Sequence, residues 1–237
     1  MRIVHLSDIH FSTENINAFE QYYIEAIRND LAELNATKHI DAVCITGDLI
    51  DKGGSQFFNI EEKYEFFLEK FWRPIANHVG IEDNAVFLIP GNHDINEKLI
   101  DPIHESGMRV HFNSPEVIDK FVEDYINKPH SELLRQEEYK DFERKFYSSS
   151  TQSLITNFES CHILELESVR IGFACINTSW RCSRTLPEDR LVFGTVQVSR
   201  GAHYLRSKGC DYIIGLLHHP FDTVSQIERQ LTETMLS

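Results

Sequence analysis

Six short apolar runs occur along the chain, and each is followed by a segment whose apolar residues have helical spacing. Such alternation is typical of a layered α/β fold, because helices that follow strands pack back onto the faces of the sheet. We therefore predict an α/β protein with central β-sheets flanked by helices. The strand-like runs are residues 2–7, 41–46, 85–89, 163–166, 169–176 and 211–217.

Two stretches are predicted to form helices that pack on a sheet. Residues 17–34 and residues 60–79 both have apolar side chains three and four positions apart, which is the spacing of one helix face. In the first stretch the predicted stripe consists of Phe19, Tyr23, Ala26, Ile27, Leu31 and Leu34.

The strand rhythm stops between residues 97 and 150. Charged sequence with interspersed aromatic residues takes over, and residues 116–127 and 131–146 have a helical period. The small polar run 148–151 favours a turn back to the sheet. A chain of 237 residues suits one large domain. We predict a single domain over residues 1–237 with a helical insertion at 97–150.

The charge and the cysteines argue against several classes of protein. A net charge of -14 disfavours a nucleic-acid-binding surface, which needs clustered Lys and Arg, but leaves a nucleotide substrate open. Five cysteines without CxxC spacing disfavour a disulfide framework and a thiolate zinc site. The sequence has neither a secretory signal nor an apolar run of about 18 residues, so we expect a cytoplasmic protein without a membrane partner.

Four short polar motifs each come directly after one of the apolar runs. Loops at the carboxyl ends of parallel strands converge on one edge of the sheet, so these positions indicate one shared site. In the first motif, Asp8 and His10 are two residues apart, and their side chains can chelate one ion. The alternative is that Asp8 caps the next segment beside an incidental histidine.

The second motif runs from Gly47 to Asp51. Gly47 gives the backbone room to turn, which places Asp48 at the strand tip, where its two oxygens can bridge two metals. Asp51 is expected to orient one of the ligands. The alternative explanation is a plain turn with solvated carboxylates.

The third motif, from Gly91 to Asp94, is the most specific. An amide oxygen at Asn92, an imidazole at His93 and a carboxylate at Asp94 form an unusual run of adjacent polar groups at a strand end. An ordinary Asn-His turn would need a separate explanation for all three.

The fourth motif is His218-His219-Pro220. Pro220 ends the strand because proline has no N–H to donate to a neighbouring strand, and two imidazoles are left at the strand tip. A single histidine there would more often be structural, whereas the pair leaves metal ligation and a structural role equally open.

Taken together, the order DxH, GDxxD, GNHD and HHP resembles the calcineurin-like phosphoesterase superfamily, whose members bind two metals at these motifs. The match runs from Asp8 to Pro220, nearly the whole chain. The resemblance implies the layered calcineurin-like phosphoesterase fold. It also implies a metal-dependent hydrolase that cleaves a phosphate ester, with a phosphodiester as the favoured substrate.

The resemblance also implies a set of ligands for two divalent metal ions. Mixed nitrogen and oxygen ligands suit manganese, iron, zinc or cobalt and do not choose among them. In this assignment Asp8 and His10 hold one metal, Asp48 bridges both, and Asn92 and His218 hold the other.

The resemblance further implies that His93 is the general acid or a hydrogen-bond donor to the transition state, with Asp94 orienting it. His219 is expected near the substrate. Two metals about 3.5–4 Å apart can lower the pKa of a bridging water and place the hydroxide in line with phosphorus. A near-neutral imidazole is well suited to protonate the departing alkoxide.

One family motif, GHxH, does not occur, since no histidine follows His219. Residues 224–236 have the pattern of the helix that would precede it, so we expect the chain to be part of a longer protein with further domains. Without that motif, binding of the metal at Asp8, His10 and Asp48 should be weaker. The alternative function is a phosphoesterase fold kept as a binding or regulatory module.

Within the superfamily, the sequence Ser7-Asp8-Ile9-His10 resembles the branch of cyclic-nucleotide and other small phosphodiesterases. Double-strand-break nucleases tend to have Trp between the Asp and the His, so a nuclease is an alternative rather than the first choice. Substrate selection is expected from the insertion and from residues 178–190, where Trp180, Arg181 and Arg184 can meet a base or a phosphate. The alternative there is solvated loop residues.

Overall fold

The protein has two β-sheets packed face to face, with helices on their outer faces. The structure is a computed structural model that describes residues 1–57, 62–150, 152–183 and 191–229. This arrangement confirms the predicted α/β class with sheets flanked by helices.

The first sheet is parallel and follows chain order. Strands β1 (Ile3–Leu6), β2 (Ala42–Thr46) and β3 (Val86–Ile89) lie side by side. In the register, Val43 aligns with Val4 of β1 and with the first residue of β3. Every residue of β2 is buried, as is typical of a central parallel strand that is covered on both faces.

The second sheet is mixed. Strands β4 (Ser153–Ile155), β5 (Ser160–Leu166) and β6 (Val169–Cys175) are antiparallel, and β7 (Tyr212–Leu216) is parallel to β6. The apolar pattern indicated β5, β6 and β7 but began β5 too late, at residue 163. It missed β4 because that strand has only 3 residues, too few to show an alternating pattern.

The inner faces of the two sheets form one apolar layer. Phe87 of β3 stacks on Phe173 of β6, with ring centroids 3.7 Å apart. Cys44 and Cys175 belong to the same cluster and are 2% exposed, as expected for cysteines that act as small apolar side chains. The layer fixes the two sheets against each other and so sets the distance between their strand ends.

Two helical segments cover the outer face of the first sheet. In the first, α1 (Ile16–Ala18) continues through a π-helix at Phe19–Tyr23 into α2 (Ile24–Thr37). The predicted stripe is wrong in part: Tyr23 and Leu34 are 55% and 45% exposed, and Ile24 is buried instead. A π turn contains an extra residue, which shifts the helix face that follows it.

The second segment has the same construction. α3 (Lys63–Phe67) continues through a π-helix at Leu68–Trp72 into α4 (Arg73–Val79), which packs on α2. The predicted start of this helix at residue 60 lies outside the described residues. Gly80 ends α4 in the left-handed region, with φ 77°, which is a common helix C-cap.

Helices also occupy most of residues 97–150. Two of them begin at a capping side chain followed by proline, a favourable start because proline presets φ and its missing N–H has no helical partner there. Asp101 accepts a hydrogen bond from the Ile103 N–H at 2.8 Å, and Ser114 caps the next helix. That residues 97–150 are an insertion within a single domain stays a prediction. The helices are α5 (Pro102–His111), α6 (Pro115–Asp124) and α7 (Glu137–Phe146).

The outer face of the second sheet is covered by α8 (Val196–Ser207). Gly201 allows this close packing, since a Cβ there would lie 3.3 Å from the Cys161 sulfur. None of the helices in the described part of the chain is long and apolar enough to cross a membrane. Short 3₁₀ turns lie at Lys52–Gly54, Asp83–Ala85, Asn92–Asp94, Glu97–Leu99, Ser131–Gln136 and Phe221–Thr223.

Candidate metal centre

The carboxyl ends of β1, β2, β3 and β7 meet in one place. Because β1, β2 and β3 are parallel neighbours, the three motifs that follow them are neighbours too. The fourth motif reaches them from the other sheet, since the Nδ1 of His218 lies 2.8 Å from the carbonyl oxygen of Thr46 at the end of β2. The structure therefore brings all four polar motifs together.

The backbone at this meeting point has an unusual conformation. Asp8, His10 and Asp48 all have positive φ, at 56°, 50° and 54°. This left-handed region is uncommon for residues other than glycine and costs on the order of 1–3 kcal/mol each. The loops hold it in place by their own hydrogen bonds, because the His10 N–H donates to the carbonyl oxygen of Asp48 at 2.8 Å.

Two glycines make room for the site. A Cβ on Gly91 would lie 2.1 Å from the Oδ1 of Asp48, and a Cβ on Gly47 would lie 2.4 Å from the Nδ1 of His218. Gly47 also has φ +92°, which disfavours any other residue. These glycines therefore allow the close approach of Asp48 and His218.

The carboxylate of Asp48 lies at the centre of the site and is 3% exposed. Its Oδ1 accepts a hydrogen bond from the backbone N–H of His93 at 2.8 Å and lies 3.6 Å from the Nε2 of His218. Its Oδ2 lies 3.5 Å from the Nε2 of His10. The two oxygens thus face histidines from different motifs.

Two groups of possible metal ligands share Asp48. One consists of His10, Asp48 and His93, and the other of Asp8, Asp48 and His218; within each, the ligand atoms lie within 4.8 Å of one another. Imidazole nitrogens with carboxylate oxygens suit divalent transition metals. The resemblance implied a different pairing, with Asp8 and His10 on the same ion.

The contacts of His218 favour a cation between it and its neighbours. Its Nδ1 donates to the carbonyl oxygen of Thr46, and in a neutral ring with the proton on Nδ1 the Nε2 is an acceptor. That Nε2 lies 3.1 Å from the amide oxygen of Asn92 and faces the carboxylate of Asp48. Acceptor atoms that converge in this way repel one another unless a cation lies between them, so these residues fit a metal ion.

The imidazole of His93 is held by Asp51. Its Nδ1 lies 2.8 Å from the Oδ1 of Asp51, whose other oxygen lies 3.0 Å from the Nζ of Lys52. Burial raises the pKa of Asp51, but the hydrogen bonds from Lys52 and His93 outweigh it, and the net pKa lies below the usual value. An ionised Asp51 can therefore orient the ring of His93 through this hydrogen bond.

Asp94 does not take the place that the resemblance implied, because Asp51 rather than Asp94 binds the ring of His93. The buried carboxylate of Asp94 accepts hydrogen bonds from the backbone N–H groups of Gly91, Leu49 and Ile50 at 2.8–3.3 Å. Burial raises its pKa to about 7, with a contribution from the nearby Asp48, although those hydrogen bonds lower it. Asp94 thus joins the loops after β2 and β3.

His219 is held by the loop that follows β6. Its Nδ1 lies 2.8 Å from the hydroxyl oxygen of Thr178, and its Nε2 lies 3.7 Å from the sulfur of Cys182. Burial, together with the neighbouring His218, lowers the pKa of His219 to about 3, so its ring is neutral. Thr178 is a partner that sequence reasoning missed, since it lies 41 positions away and belongs to none of the motifs.

Trp180 and Arg181 are buried, so they are not the solvated loop residues of the alternative, and neither side chain is open to a base or a phosphate. They are 0% and 2% exposed. Trp180 stacks on Phe121 of α6, and Arg181 forms an ion pair with Glu105 of α5. The expected role of Arg184 lies outside the described residues.

Comparison with known proteins agrees with this arrangement. The sequence model of the family described as calcineurin-like phosphoesterase matches residues 1–234. The uncharacterized metallophosphoesterase-like protein YydB of Bacillus subtilis (strain 168) is 23% identical over an alignment 245 residues long. The alignment covers 97% of this chain and 44% of that protein. The chain therefore spans less than half the length of the curated relative that it matches.

Proposed function

The chain belongs to the calcineurin-like phosphoesterase family, and from this premise we propose that it is a metal-dependent phosphoesterase with a phosphodiester as its substrate. One observation carries the proposal: the carboxylate of Asp48 belongs to both groups of possible metal ligands. A pair of ions requires a ligand that both can share, and Asp48 lies in both groups. A plain turn would leave this carboxylate in solvent, whereas Asp48 is buried.

In this proposal Asp48 would hold two divalent ions. The mixed nitrogen and oxygen ligands suit manganese, iron, zinc or cobalt and do not choose among them. Asp8, His10, Asn92 and His218 complete the ligand sets. The imidazole of His93 lies within reach of His10 and Asp48, but we assign it to the leaving group and not to a metal. Such ions, when bound, neutralise charge on the phosphoryl oxygens and lower the pKa of the attacking water. Thr46 holds His218 by its carbonyl oxygen, which keeps the Nε2 directed at the site.

His93 is proposed to protonate the leaving group. Asp51 accepts a hydrogen bond from its Nδ1, so the proton at Nε2 is the one that can pass to the departing alkoxide. Lys52 in turn contacts Asp51 at 3.0 Å and keeps that carboxylate ionised.

A small-molecule phosphodiester is preferred to the phosphodiester backbone of a nucleic acid on two grounds. The sequence around Asp8 and His10 is similar to that of small-molecule phosphodiesterases, and the net charge of -14 works against a polyanionic partner. A nucleotide or another small diester therefore suits the chain better than DNA.

Metal analysis and a hydrolysis assay test the proposal together. The purified protein is loaded with Mn²⁺, its metal content is measured, and turnover of a generic aryl phosphodiester is compared with that of the matching monoester. We expect about two ions per chain and faster cleavage of the diester. Absence of both metal and turnover would reject the enzyme and favour a binding module, whereas faster monoester cleavage would reject only the diester assignment.

A further inference from the structure

A buried cluster of charged side chains lies beside the candidate metal centre. Arg135 and Arg181 each contact the carboxylates of Glu105 and Glu132, and all four residues are 2–3% exposed. Buried charges are tolerated when they are paired and hydrogen-bonded, and here two guanidinium groups face two carboxylates. The cluster joins α5 and the turn before α7 to the loop of residues 177–182.

Arg135 differs from the other three members because it also binds two loops. Its guanidinium donates to the carbonyl oxygen of Cys182 at 3.2 Å, and its own carbonyl oxygen accepts from the N–H of Asn96 at 2.8 Å. Arg135 therefore contacts the loop after β3, residues 90–96, through its backbone, and the loop after β6, residues 177–182, through its guanidinium. A side-chain substitution removes only the second of these contacts.

Both loops lead directly to the proposed ligands. The hydroxyl of Ser179 donates to the carbonyl oxygen of Pro90 at 3.0 Å, two residues before Asn92. The hydroxyl of Thr178 binds His219, the neighbour of His218. A shift of residues 177–182 would therefore move the proposed ligands that follow strands of both sheets.

We infer that Arg135 is a positioning residue that holds these two loops in the one arrangement in which Asn92 and His218 face Asp48. The inference rests on the proposed function, since it assigns Arg135 a task in the same metal centre. Arg135 touches none of the proposed ligands, so its effect must pass through the loops.

The test compares two conservative substitutions in the full chain. Arg135→Lys keeps the charge but loses the planar fork that binds two carboxylates and a carbonyl together. Arg200→Lys is the control for the loss of an Arg–carboxylate pair, because Arg200 of α8 forms an ion pair with Glu159 and belongs to neither loop; its side chain is 21% exposed, whereas Glu159 is buried. Mn²⁺ affinity, kcat for the aryl phosphodiester and hydrogen exchange of residues 90–96 and 177–182 are measured for both.

We expect Arg135→Lys to weaken Mn²⁺ binding or lower kcat about tenfold, with little change in KM. Exchange should speed most in residues 177–182, and from there in residues 90–96 through the hydrogen bond from Ser179 to Pro90. Arg200→Lys should leave all three near the parent values. Parent-like exchange and affinity in Arg135→Lys would overturn the inference. If the parent itself neither binds Mn²⁺ nor turns over, the proposed function fails, and loop exchange alone decides the role of Arg135.

A second variant covers the case in which Arg135→Lys does not fold. The double substitution Arg135→Gln with Glu132→Gln removes one charge of each sign and keeps the cluster neutral. It is read by the same loop exchange and Mn²⁺ affinity. Faster exchange confined to the two loops supports the inference, and unchanged exchange there counts against it.

Discussion

The carboxylate of Asp48 is the point at which a single substitution should affect both proposed ions. Asp48→Asn removes the negative charge that both ligand groups share and replaces one of the two carboxylate oxygens by an amide nitrogen, whereas Asp8→Asn alters only one group. We expect Asp48→Asn to lose most of both ions and Asp8→Asn to lose about one. Elemental analysis of metal per chain is the measurement. Equal metal content in Asp48→Asn and the parent would exclude the bridging role.

The imidazole of His93 should matter for chemistry more than for metal retention. Its ring is held by Asp51, while its backbone N–H already binds Asp48 whatever the side chain is. His93→Ala should therefore keep its metal and lose on the order of 10²–10⁴-fold in turnover of a diester with a poor leaving group. The loss should be small for a good leaving group, which needs no proton. An equal loss with both substrates would contradict a role as acid.

At the scale of single residues, the sequence identified which side chains meet but not how they divide their contacts. The four motifs predicted a common site because each follows a strand, and strand ends converge in a parallel sheet. Whether Asp51 or Asp94 holds His93 depends on the turn after β3, which points Asp94 at backbone N–H groups. No spacing in the sequence encodes that choice.

At the scale of elements, the loop after β3 should be the least tolerant of added volume. Gly91 has ordinary backbone angles, with φ -102°, so only space forbids a side chain there. Gly91→Ala places a methyl group 2.1 Å from the Oδ1 of Asp48. We expect Mn²⁺ affinity to fall at least about tenfold and the free energy of unfolding to drop by about 1–3 kcal/mol.

Gly107 supplies the matched control for that substitution. It lies inside α5, and a Cβ there meets open space. Gly107→Ala should raise the free energy of unfolding by about 0.5–1 kcal/mol, because alanine loses less conformational freedom than glycine in a helix. Titration with Mn²⁺ and thermal unfolding separate the two variants. Normal metal binding by Gly91→Ala would show that the loop can yield.

The elements also mark where periodicity stops being informative. The apolar runs predicted β1, β2, β3 and β7 because each is a continuous, mainly apolar segment, although only β2 and β3 are buried along their whole length. The stripe over residues 17–34 held at Leu31 but failed at Tyr23 and Leu34. A π turn at Phe19–Tyr23 shifts the helix face, and the spacing of apolar residues does not indicate such a turn. Arg181 was misplaced for another reason: its partner Glu105 lies 76 positions away.

At the scale of the whole molecule, the free edge of β3 is closed by a side chain. The hydroxyl of Tyr147 donates to the carbonyl oxygen of Val86 at 2.8 Å and accepts from the N–H of Leu88 at 3.0 Å. An uncovered edge strand invites pairing with another chain, and a buried tyrosine prevents it here. The ring of Tyr147 in turn packs on His162 of β5, with centroids 4.0 Å apart, so this contact joins the two sheets.

His162 should make the stability of the whole fold depend on pH. Burial, with a smaller contribution from Lys140, lowers its pKa to about 3, below the value of about 6.5 for an unfolded chain. Between those values the unfolded state binds more protons, so this histidine makes stability fall as the pH drops below about 6.5. The contribution from pH 7 to pH 5.5 is about 1 kcal/mol.

Replacing His162 by an uncharged residue should remove that contribution. Urea unfolding of metal-free parent and His162→Gln at pH 7 and pH 5.5 measures it, because the amide can still bind Ser153, which lies 2.8 Å from the Nδ1 of His162. The drop in unfolding free energy on acidification should be about 1 kcal/mol smaller in His162→Gln, whereas the exposed His203→Gln should match the parent. An identical drop in all three proteins would mean that His162 is protonated in the folded state, and the contact between the sheets would then have to accommodate a charge.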